Sequence, residues 1–257
     1  MNFKFKEAAT LFQKGQIEKA ENICSEIRKN DPKNFNNLNL LSIILFQKKK
    51  FEDALKILKE SIKINPKQAE ANNNLGLMLT KLKKYNDAIS YYKKAIEIND
   101  RYTDAYNNIG IAYKELGFFK KSIFYWKKVI EIQPKNFQVY NNIGNIYLEE
   151  NKDNLAIKFY DKALSLNKNF YLAYFNRGIA FQKQNKLNES IDSFSEAIKL
   201  NSKYSEAYYN RGNSYRDINK LDLALSDYLS AFKIKPDLHN LFGNIFATKN
   251  NLCDWKN

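Results

Sequence analysis

The sequence predicts an all-α solenoid of seven 34-residue repeats, each containing two helices. Three observations support this prediction. The four prolines of the chain are separated by 34, 68 and 102 residues, and five glycines recur at intervals of 34 from Gly76 to Gly212. Only 4 prolines and 8 glycines occur in 257 residues, which disfavours a loop-rich β protein. A fixed period of about 20–50 residues is typical of repeat architectures.

The repeats run from Met1 to Leu238 without insertion, and we number positions 1–34 within each. We expect seven repeats at residues 1–34, 35–68, 69–102, 103–136, 137–170, 171–204 and 205–238. Residues 239–257 begin an eighth repeat, which we expect to form a C-terminal capping helix and tail. Because 44% of the residues are hydrophobic, the array can bury a continuous core and wholesale disorder is excluded.

Each repeat carries two apolar stripes. Positions 3, 7, 10, 11 and 14, as in Leu75, predict a first helix, A, and positions 17, 20, 21, 24, 27 and 28, as in Ala88, predict a second helix, B. Glycine at position 8 and alanine at position 20 predict a close approach of the two helices. Proline at position 32 should end helix B, and we expect less sharply defined ends where Asp100, Lys168 and Ser202 replace it.

Repeat 4 carries a family signature at Tyr106, Ile109, Gly110, Tyr113, Ser122, Trp126, Val129 and Pro134. This pattern resembles the tetratricopeptide repeat, and the resemblance extends over almost the whole chain. It implies a right-handed superhelix of antiparallel helix pairs whose A helices line a concave groove. It also implies that the protein recognises peptides or other proteins.

Asparagine occupies position 6 in six consecutive repeats, on the side of helix A opposite its apolar stripe. We call these residues the asparagine ladder: Asn74, Asn108, Asn142, Asn176, Asn210 and Asn244. A primary amide can both donate to and accept from a peptide backbone without adding charge. Neighbouring helices about 10 Å apart would place one asparagine at about every third residue of an extended peptide. The ladder therefore predicts a site for an extended peptide.

A structural role for the same asparagines is the alternative. The sequence contains 35 asparagines, so composition alone supplies many, and asparagine at this position could satisfy neighbouring helix ends. Asn145 and Asn213 at position 9 would extend the groove. Glu70, Asp104 and Glu206 at position 2 would favour basic or hydroxyl side chains in a ligand, or would act as favourable charges at a helix N-terminus.

The formal charge of +14 raises nucleic acid as a partner, and the first four repeats carry +11 of it. We do not expect nucleic acid, because most lysines fall in turns or on the outer face of helix B. The aromatic residues are predicted to occupy the core positions of the helices, so they leave no exposed surface on which bases could stack. We expect no membrane insertion, since no window has 18 uninterrupted apolar residues. The two distant cysteines suit a reducing, cytoplasmic location.

Catalysis, cofactor binding and metal binding are not predicted. The only histidine, His239, has no nucleophile or ligand cluster near it in sequence, and nucleotide-binding and metal-binding motifs are missing from the sequence. We therefore expect a non-catalytic interaction scaffold.

The C-terminal segment carries a second resemblance. It keeps Asn244 in register, replaces the position-8 glycine by Phe246, and continues to Cys253 and Trp255. Together with the asparagine ladder, it is similar to the junction between the superhelix and the catalytic half of glycosyltransferases of the O-GlcNAc-transferase and Spindly type. That resemblance implies, as an alternative function, the substrate-recruiting region of a protein glycosyltransferase whose catalytic domain is absent from this chain.

Overall fold

The computed structural model describes residues 3–254, and side chains through residue 252. This part of the protein forms fifteen α-helices and no β-strand, which confirms the all-α prediction. Cys253 and Trp255, singled out above, have side chains outside the described part. The helices are α1 (Phe3–Gln13), α2 (Ile17–Asn30), α3 (Phe35–Gln47), α4 (Phe51–Ile64), α5 (Ala69–Lys81), α6 (Tyr85–Ile98), α7 (Thr103–Glu115), α8 (Phe119–Ile132), α9 (Phe137–Glu149), α10 (Asp153–Leu166), α11 (Tyr171–Lys183), α12 (Leu187–Leu200), α13 (Ser205–Asp217), α14 (Leu221–Ile234) and α15 (Leu241–Asp254).

The chain divides into two compact units, Met1–Gln133 and Pro134–Asn257. The first unit contains α1–α8 and the second α9–α15. Within each unit, every odd-numbered A helix packs against the B helix that follows it, and that B helix packs against the next A helix. Successive A helices also touch one another, whereas successive B helices within residues 3–254 show no comparable contact. The A helices therefore form the inner side of each unit.

Position 15, between helices A and B, has a left-handed backbone in all seven repeats. In repeat 3, the amide of Lys83 donates to the carbonyl of Thr80 at 2.9 Å, and the amide of Lys84 donates to the carbonyl of Leu79 at 2.9 Å. These two bonds form the Schellman arrangement that closes an α-helix. The conformation is thus common to the array, although the residues differ: Gly15, Lys49, Lys83, Gly117, Asn151, Asn185 and Asn219.

Helix B ends at position 30 in every repeat, so the expectation of less defined ends in repeats without proline is wrong. In those three repeats position 31 is asparagine: Asn99, Asn167 and Asn201. Each side-chain oxygen accepts from the backbone amide two residues later, at 3.1, 2.9 and 3.1 Å respectively. This asparagine turn provides a local alternative to the helix and ends it without proline.

Glycine at position 8 makes room for the aromatic ring at position 24 of the same repeat. A Cβ atom on Gly110 would lie 2.3 Å from the indole nitrogen of Trp126, and one on Gly212 would lie 2.8 Å from the ring of Tyr228. The predicted close approach is confirmed, and the group that requires it is a ring. Repeats 1 and 2 have no aromatic ring at position 24, and there position 8 is Ala8 or Ser42.

The apolar stripe of helix A is interrupted at position 7 in repeats 1, 6 and 7, where Glu7, Arg177 and Arg211 replace the usual aliphatic residue. The guanidinium of Arg211 donates to both carboxylate oxygens of Asp227 at 2.8 Å and to the hydroxyl of Ser195 at 2.9 Å. Arg177 donates to the hydroxyl of Ser193 in its own repeat at 3.2 Å and to one carboxylate oxygen of Asp161 in the preceding repeat at 2.7 Å, so the serine and the carboxylate have exchanged places. Each arginine is therefore satisfied by one carboxylate and one serine.

None of the helices in residues 3–254 combines the length and the apolar character that crossing a bilayer requires.

Candidate peptide-binding face

The six residues of the asparagine ladder are all half-buried, and each lies on an A helix. The carboxamides of Asn108, Asn176 and Asn244 reach the A helix of the preceding repeat. Because A helices touch only on the inner side of each unit, these side chains lie at that inner side. Within a unit, the sequence prediction of a shared face is consistent with this geometry.

Half of the ladder is used to join neighbouring A helices. Asn108 donates to the carboxamide oxygen of Asn73 at 2.9 Å. Asn176 donates to the carboxamide oxygens of Asn141 at 3.1 Å and Asn145 at 3.0 Å. These bonds give part of the ladder a structural role, but through asparagine side chains of the preceding repeat and not through the helix ends that the sequence suggested. They also leave the carboxamide oxygens of Asn108 and Asn176 without a donor among the described residues.

The two position-9 asparagines are held by buried tyrosines. The hydroxyl of Tyr160 donates to the carboxamide oxygen of Asn145 at 2.9 Å, and that of Tyr228 donates to Asn213 at 2.8 Å. Burial raises the pKa of both phenols, in the case of Tyr228 to about 12, so both remain protonated donors at neutral pH. The second of these networks continues to Asn244, which donates to Asn213 at 3.3 Å.

The tyrosine bonds orient the position-9 amides. With its oxygen occupied, each of Asn145 and Asn213 keeps an amide nitrogen that donates to no described residue. Asn176 has the opposite arrangement. Its amide nitrogen donates to two acceptors, and its oxygen accepts from no described residue. Asn244 follows the same pattern, since its nitrogen also donates to the hydroxyl of Tyr209 at 3.2 Å. The second unit therefore carries two amide pairs, each with one donor and one acceptor not used by the described protein.

The remaining ladder residues differ from one another. Asn74 and Asn142 form no hydrogen bond to any described residue, so both ends of their carboxamides can meet a ligand. Asn210 donates to the backbone carbonyl of Glu206 in its own helix at 2.7 Å.

The predicted acidic residues are not equivalent. Glu70 and Asp104 are exposed near the start of α5 and α7. Glu206 is half-buried, accepts from the hydroxyl of Ser205 at 2.9 Å and pairs with Lys235 at 3.3 Å. Burial raises the pKa of the Glu206 carboxyl, and hydrogen bonds from its own backbone amide, Ser205 and Lys235 lower it, with a net lowering. Glu206 is therefore an anion that the protein already compensates, whereas Glu70 and Asp104 are open to solvent.

Sequence reasoning missed the position-5 asparagines Asn73 and Asn141, which are buried and accept from the ladder. Their signal was the Asn-Asn doublet at residues 73–74, 107–108 and 141–142. Asn73 and Asn141, each the first residue of its doublet, accept from the position-6 residue of the next repeat, and the packing of the hairpins brings the two together.

Family models match the sequence in successive segments. A model described as TPR repeat matches residues 76–117, 144–185 and 183–216, and models described as tetratricopeptide repeat match residues 103–136, 125–158 and 205–238. Together these matches span residues 76–238. A model for anaphase-promoting complex, cyclosome, subunit 3 matches residues 13–95. A search of curated proteins returns no match.

Many solved structures share the fold. YrrB, described as a TPR protein with an unusual peptide-binding site, is 23% identical, with 75% of this chain and 97% of YrrB covered and a TM-score of 0.58. The C-terminal part of a TPR repeat-containing protein from Cytophaga hutchinsonii is 18% identical; the match covers 94% of this chain and 99% of that one, with a TM-score of 0.76. A chain of the APC/C hetero-tetramer Cut9–Hcn1 is 17% identical; the match covers 94% of this chain and 48% of that one, with a TM-score of 0.68.

At these identities the structures establish the fold alone. None of the reported matches supports the resemblance to O-GlcNAc-transferase or Spindly. The successive repeat models over residues 76–238, with the stacked helical hairpins of each unit, identify the chain as a member of the tetratricopeptide-repeat family.

Proposed function

We propose that the protein is a non-catalytic interaction scaffold that binds an extended peptide along the inner face of its A helices. The observation that supports this most is the state of the ladder amides. They are half-buried, lie at the inner side of each unit, and keep polar atoms that the described protein does not use. These atoms reach solvent, so a peptide backbone would replace water at them, and each such hydrogen bond would contribute about 0.5–1.5 kcal/mol.

The orientation of the amides specifies which backbone groups of a ligand matter. Asn176 and Asn244 have committed both amide hydrogens, so they offer only an acceptor oxygen. Asn145 and Asn213 have committed their oxygens and offer donors. A ligand on the second unit must therefore supply a backbone N–H to one residue and a backbone C=O to its neighbour. An extended peptide has this alternation. A peptide on the first unit would instead have its side chains near exposed residues such as Glu70 and Asp104.

The test uses the ladder residues that have no structural bond. Peptides of twelve random residues are selected on the wild-type protein, and their dissociation constants are measured with N74A and N142A. Each substitution should weaken the peptides that bind its own unit about fivefold, the equivalent of one hydrogen bond, without changing the melting temperature. N86A is the matched control, because Asn86 is exposed on helix B of repeat 3 and forms no hydrogen bond to the described residues.

A second measurement separates backbone from side-chain recognition. N-methylation of a selected peptide at single positions removes one N–H at a time and keeps its side chains. Binding should fall at about every third position, because successive A helices lie about 10 Å apart. Equal affinity of N74A, N142A and wild type, together with tolerance of N-methylation at every position, would contradict backbone recognition by the ladder.

The alternative function is the substrate-recruiting region of an O-GlcNAc-transferase-like protein glycosyltransferase whose catalytic domain is not part of this chain. Its support is the asparagine ladder and the Cys253-Asp254-Trp255 segment, and the family and structure matches add nothing to it. Reading the gene beyond Asn257 decides between the two functions. A long α/β continuation favours the recruiting region, and an immediate stop codon contradicts it.

A further inference from the structure

Repeat 4 exposes two phenylalanines at positions that every other repeat fills with a polar residue. Phe118, at position 16, is 50% exposed, and Phe124, at position 22, is 56% exposed. The aromatic residues of the protein thus do not all lie at core positions, contrary to the sequence-based expectation. The residues at position 16 in the other repeats are Gln16, Lys50, Lys84, Lys152, Lys186 and Lys220. Those at position 22 are Asn22, Lys56, Ser90, Lys158, Asp192 and Ser226.

The two phenylalanines belong to one continuous group of rings. The ring of Phe118 meets Tyr113 edge-on at 6.2 Å, Tyr113 stacks on Tyr125 at 5.6 Å, and Tyr125 meets Phe124 edge-on at 5.3 Å. Tyr106 adds a fifth ring, 6.3 Å from Tyr125. We call these five rings the repeat-4 aromatic cluster. Its half-buried members hold the exposed phenylalanines on a rigid base.

The cluster borders a hollow between α6 and α8 with a volume of about 290 Å³. Its apolar lining includes Ile96, Tyr106 and Phe124, and its rim carries Lys93, Glu97 and Lys128. Small-molecule sites usually begin at about 300 Å³, so this hollow is suited to a single large side chain. An aromatic or large aliphatic side chain matches its apolar lining.

The surroundings of the hollow are basic. Helix α8 contains four lysines and one glutamate, and among the seven B helices within residues 3–254 it alone has no acidic residue in its first turn. Lys121 lies over the rings of Phe118 and Tyr113, 5.0 and 5.3 Å from their centroids. Lys93 is exposed and forms no ion pair with a described residue. Lys128 already pairs with Glu131 at 2.7 Å, so Lys93 and Lys121 are the charges that complement an acidic segment beside an apolar anchor.

Two other occupants fit less well. Nucleic acid needs open ring faces for stacking, and Tyr125 already stacks on Tyr113. A second copy of the protein has the same charge of +14, which disfavours contact at a basic surface. We propose that the repeat-4 aromatic cluster is a second docking site, for an acidic peptide segment with an aromatic or large aliphatic side chain.

The test replaces both phenylalanines by residues that other repeats carry at the same positions. F118Q/F124S introduces the glutamine of repeat 1 and the serine of repeats 3 and 7 without changing the net charge. The probe is a fluorescein-labelled peptide of twelve residues with a central phenylalanine flanked by aspartate and glutamate. Wild type should bind it, and F118Q/F124S should bind at least tenfold more weakly. A peptide with lysine in place of the acids should bind wild type and F118Q/F124S with the same affinity, because it does not complement the basic surroundings of the hollow.

Controls separate loss of this site from loss of fold or of the inner face. L229S removes another exposed apolar side chain, 44% exposed, and serine stands at that position in repeats 1 and 6; it should leave binding unchanged. K93E should weaken binding of the acidic peptide while the circular dichroism melting curve stays that of wild type. The difference in acidic-peptide affinity between wild type and F118Q/F124S should persist when N74A or N142A is added to both proteins, so failure here is distinguishable from failure of the inner-face proposal.

Three results would overturn the docking site. The first is no binding of the acidic peptide to wild type, or equal binding to F118Q/F124S. The second is binding of an oligouridylate that the double variant loses, which would assign the surface to RNA. The third is a dimer in sedimentation equilibrium that F118Q/F124S dissociates, which would assign it to a second copy of the protein.

Discussion

In repeat 4 the space between the aromatic side chains at positions 4 and 11 holds the ring of Tyr125, whereas in repeat 7 it holds the guanidinium of Arg211. The ring lies 6.3 and 5.6 Å from Tyr106 and Tyr113. The guanidinium carbon lies 5.8 Å from both corresponding tyrosines, Tyr208 and Tyr215. A ring from helix B and a cation from helix A therefore occupy equivalent places, since both pack favourably between aromatic faces.

The exchange involves two positions at once. Repeat 4 pairs Ile109 at position 7 with Tyr125 at position 23, and repeat 7 pairs Arg211 with Asp227 at the same positions. The polar pair is tolerated because its hydrogen bonds are complete: Asp227 is 5% exposed, and both of its carboxylate oxygens are bound. The comparison teaches that this space must be filled by side chains whose polar atoms are all hydrogen-bonded, and that the side chains need not be apolar.

The largest effect is expected from D227A. It leaves Arg211 largely buried without its carboxylate, and unfolding free energy should fall by about 3 kcal/mol. Urea unfolding followed by circular dichroism measures this. D161A is the matched control, because the Asp161 side chain is 53% exposed and its pair with Arg177 should contribute less than about 1 kcal/mol. R211I/D227Y, which carries the residues of repeat 4, should recover most of the loss. Equal losses in D227A and D161A would contradict the comparison.

A smaller effect is expected where each repeat needs glycine. G110A drives a methyl group into Trp126 and should cost about 1–3 kcal/mol, although alanine is the better helix former. G212A should cost less, because its added carbon would lie 2.8 Å from Tyr228, compared with 2.3 Å from Trp126 in G110A. G243A, where no described atom lies within 4 Å of the added carbon, should be neutral or stabilising. The order of the three unfolding midpoints checks the prediction, and a stabilised G110A would refute it.

The smallest effect concerns the left-handed position 15, where the second unit uses asparagine and repeats 2 and 3 use lysine. K83G should stabilise the protein by about 0.5–1 kcal/mol, because lysine is strained at its φ of 58° and glycine is not. N151G should change stability by less, since asparagine tolerates this conformation. Thermal unfolding of both variants measures the difference, and equal shifts would show that residue type at position 15 does not matter.

The helical hairpins followed from the sequence because their causes are local or repeat every 34 residues. Apolar spacing predicted every helix pair, and the glycines of position 8 predicted close packing. The helix ends without proline were mispredicted, because an asparagine side chain at position 31 can end a helix as firmly as a proline. That signal was present in Asn99, Asn167 and Asn201, but asparagine is common throughout this protein, so composition concealed it.

The sequence by itself determined that position 6 would present amides on one face of successive A helices. Only the tertiary structure decided which atoms of those amides remain available, because the carboxamide of Asn176 can be oriented only by partners 31 and 35 residues away. The same holds for Arg211 in a core position and for Phe124 on the surface. Periodicity assigns a side chain to a face of its helix. Its hydrogen bonds and its exposure to solvent depend on the neighbouring repeats that pack against it.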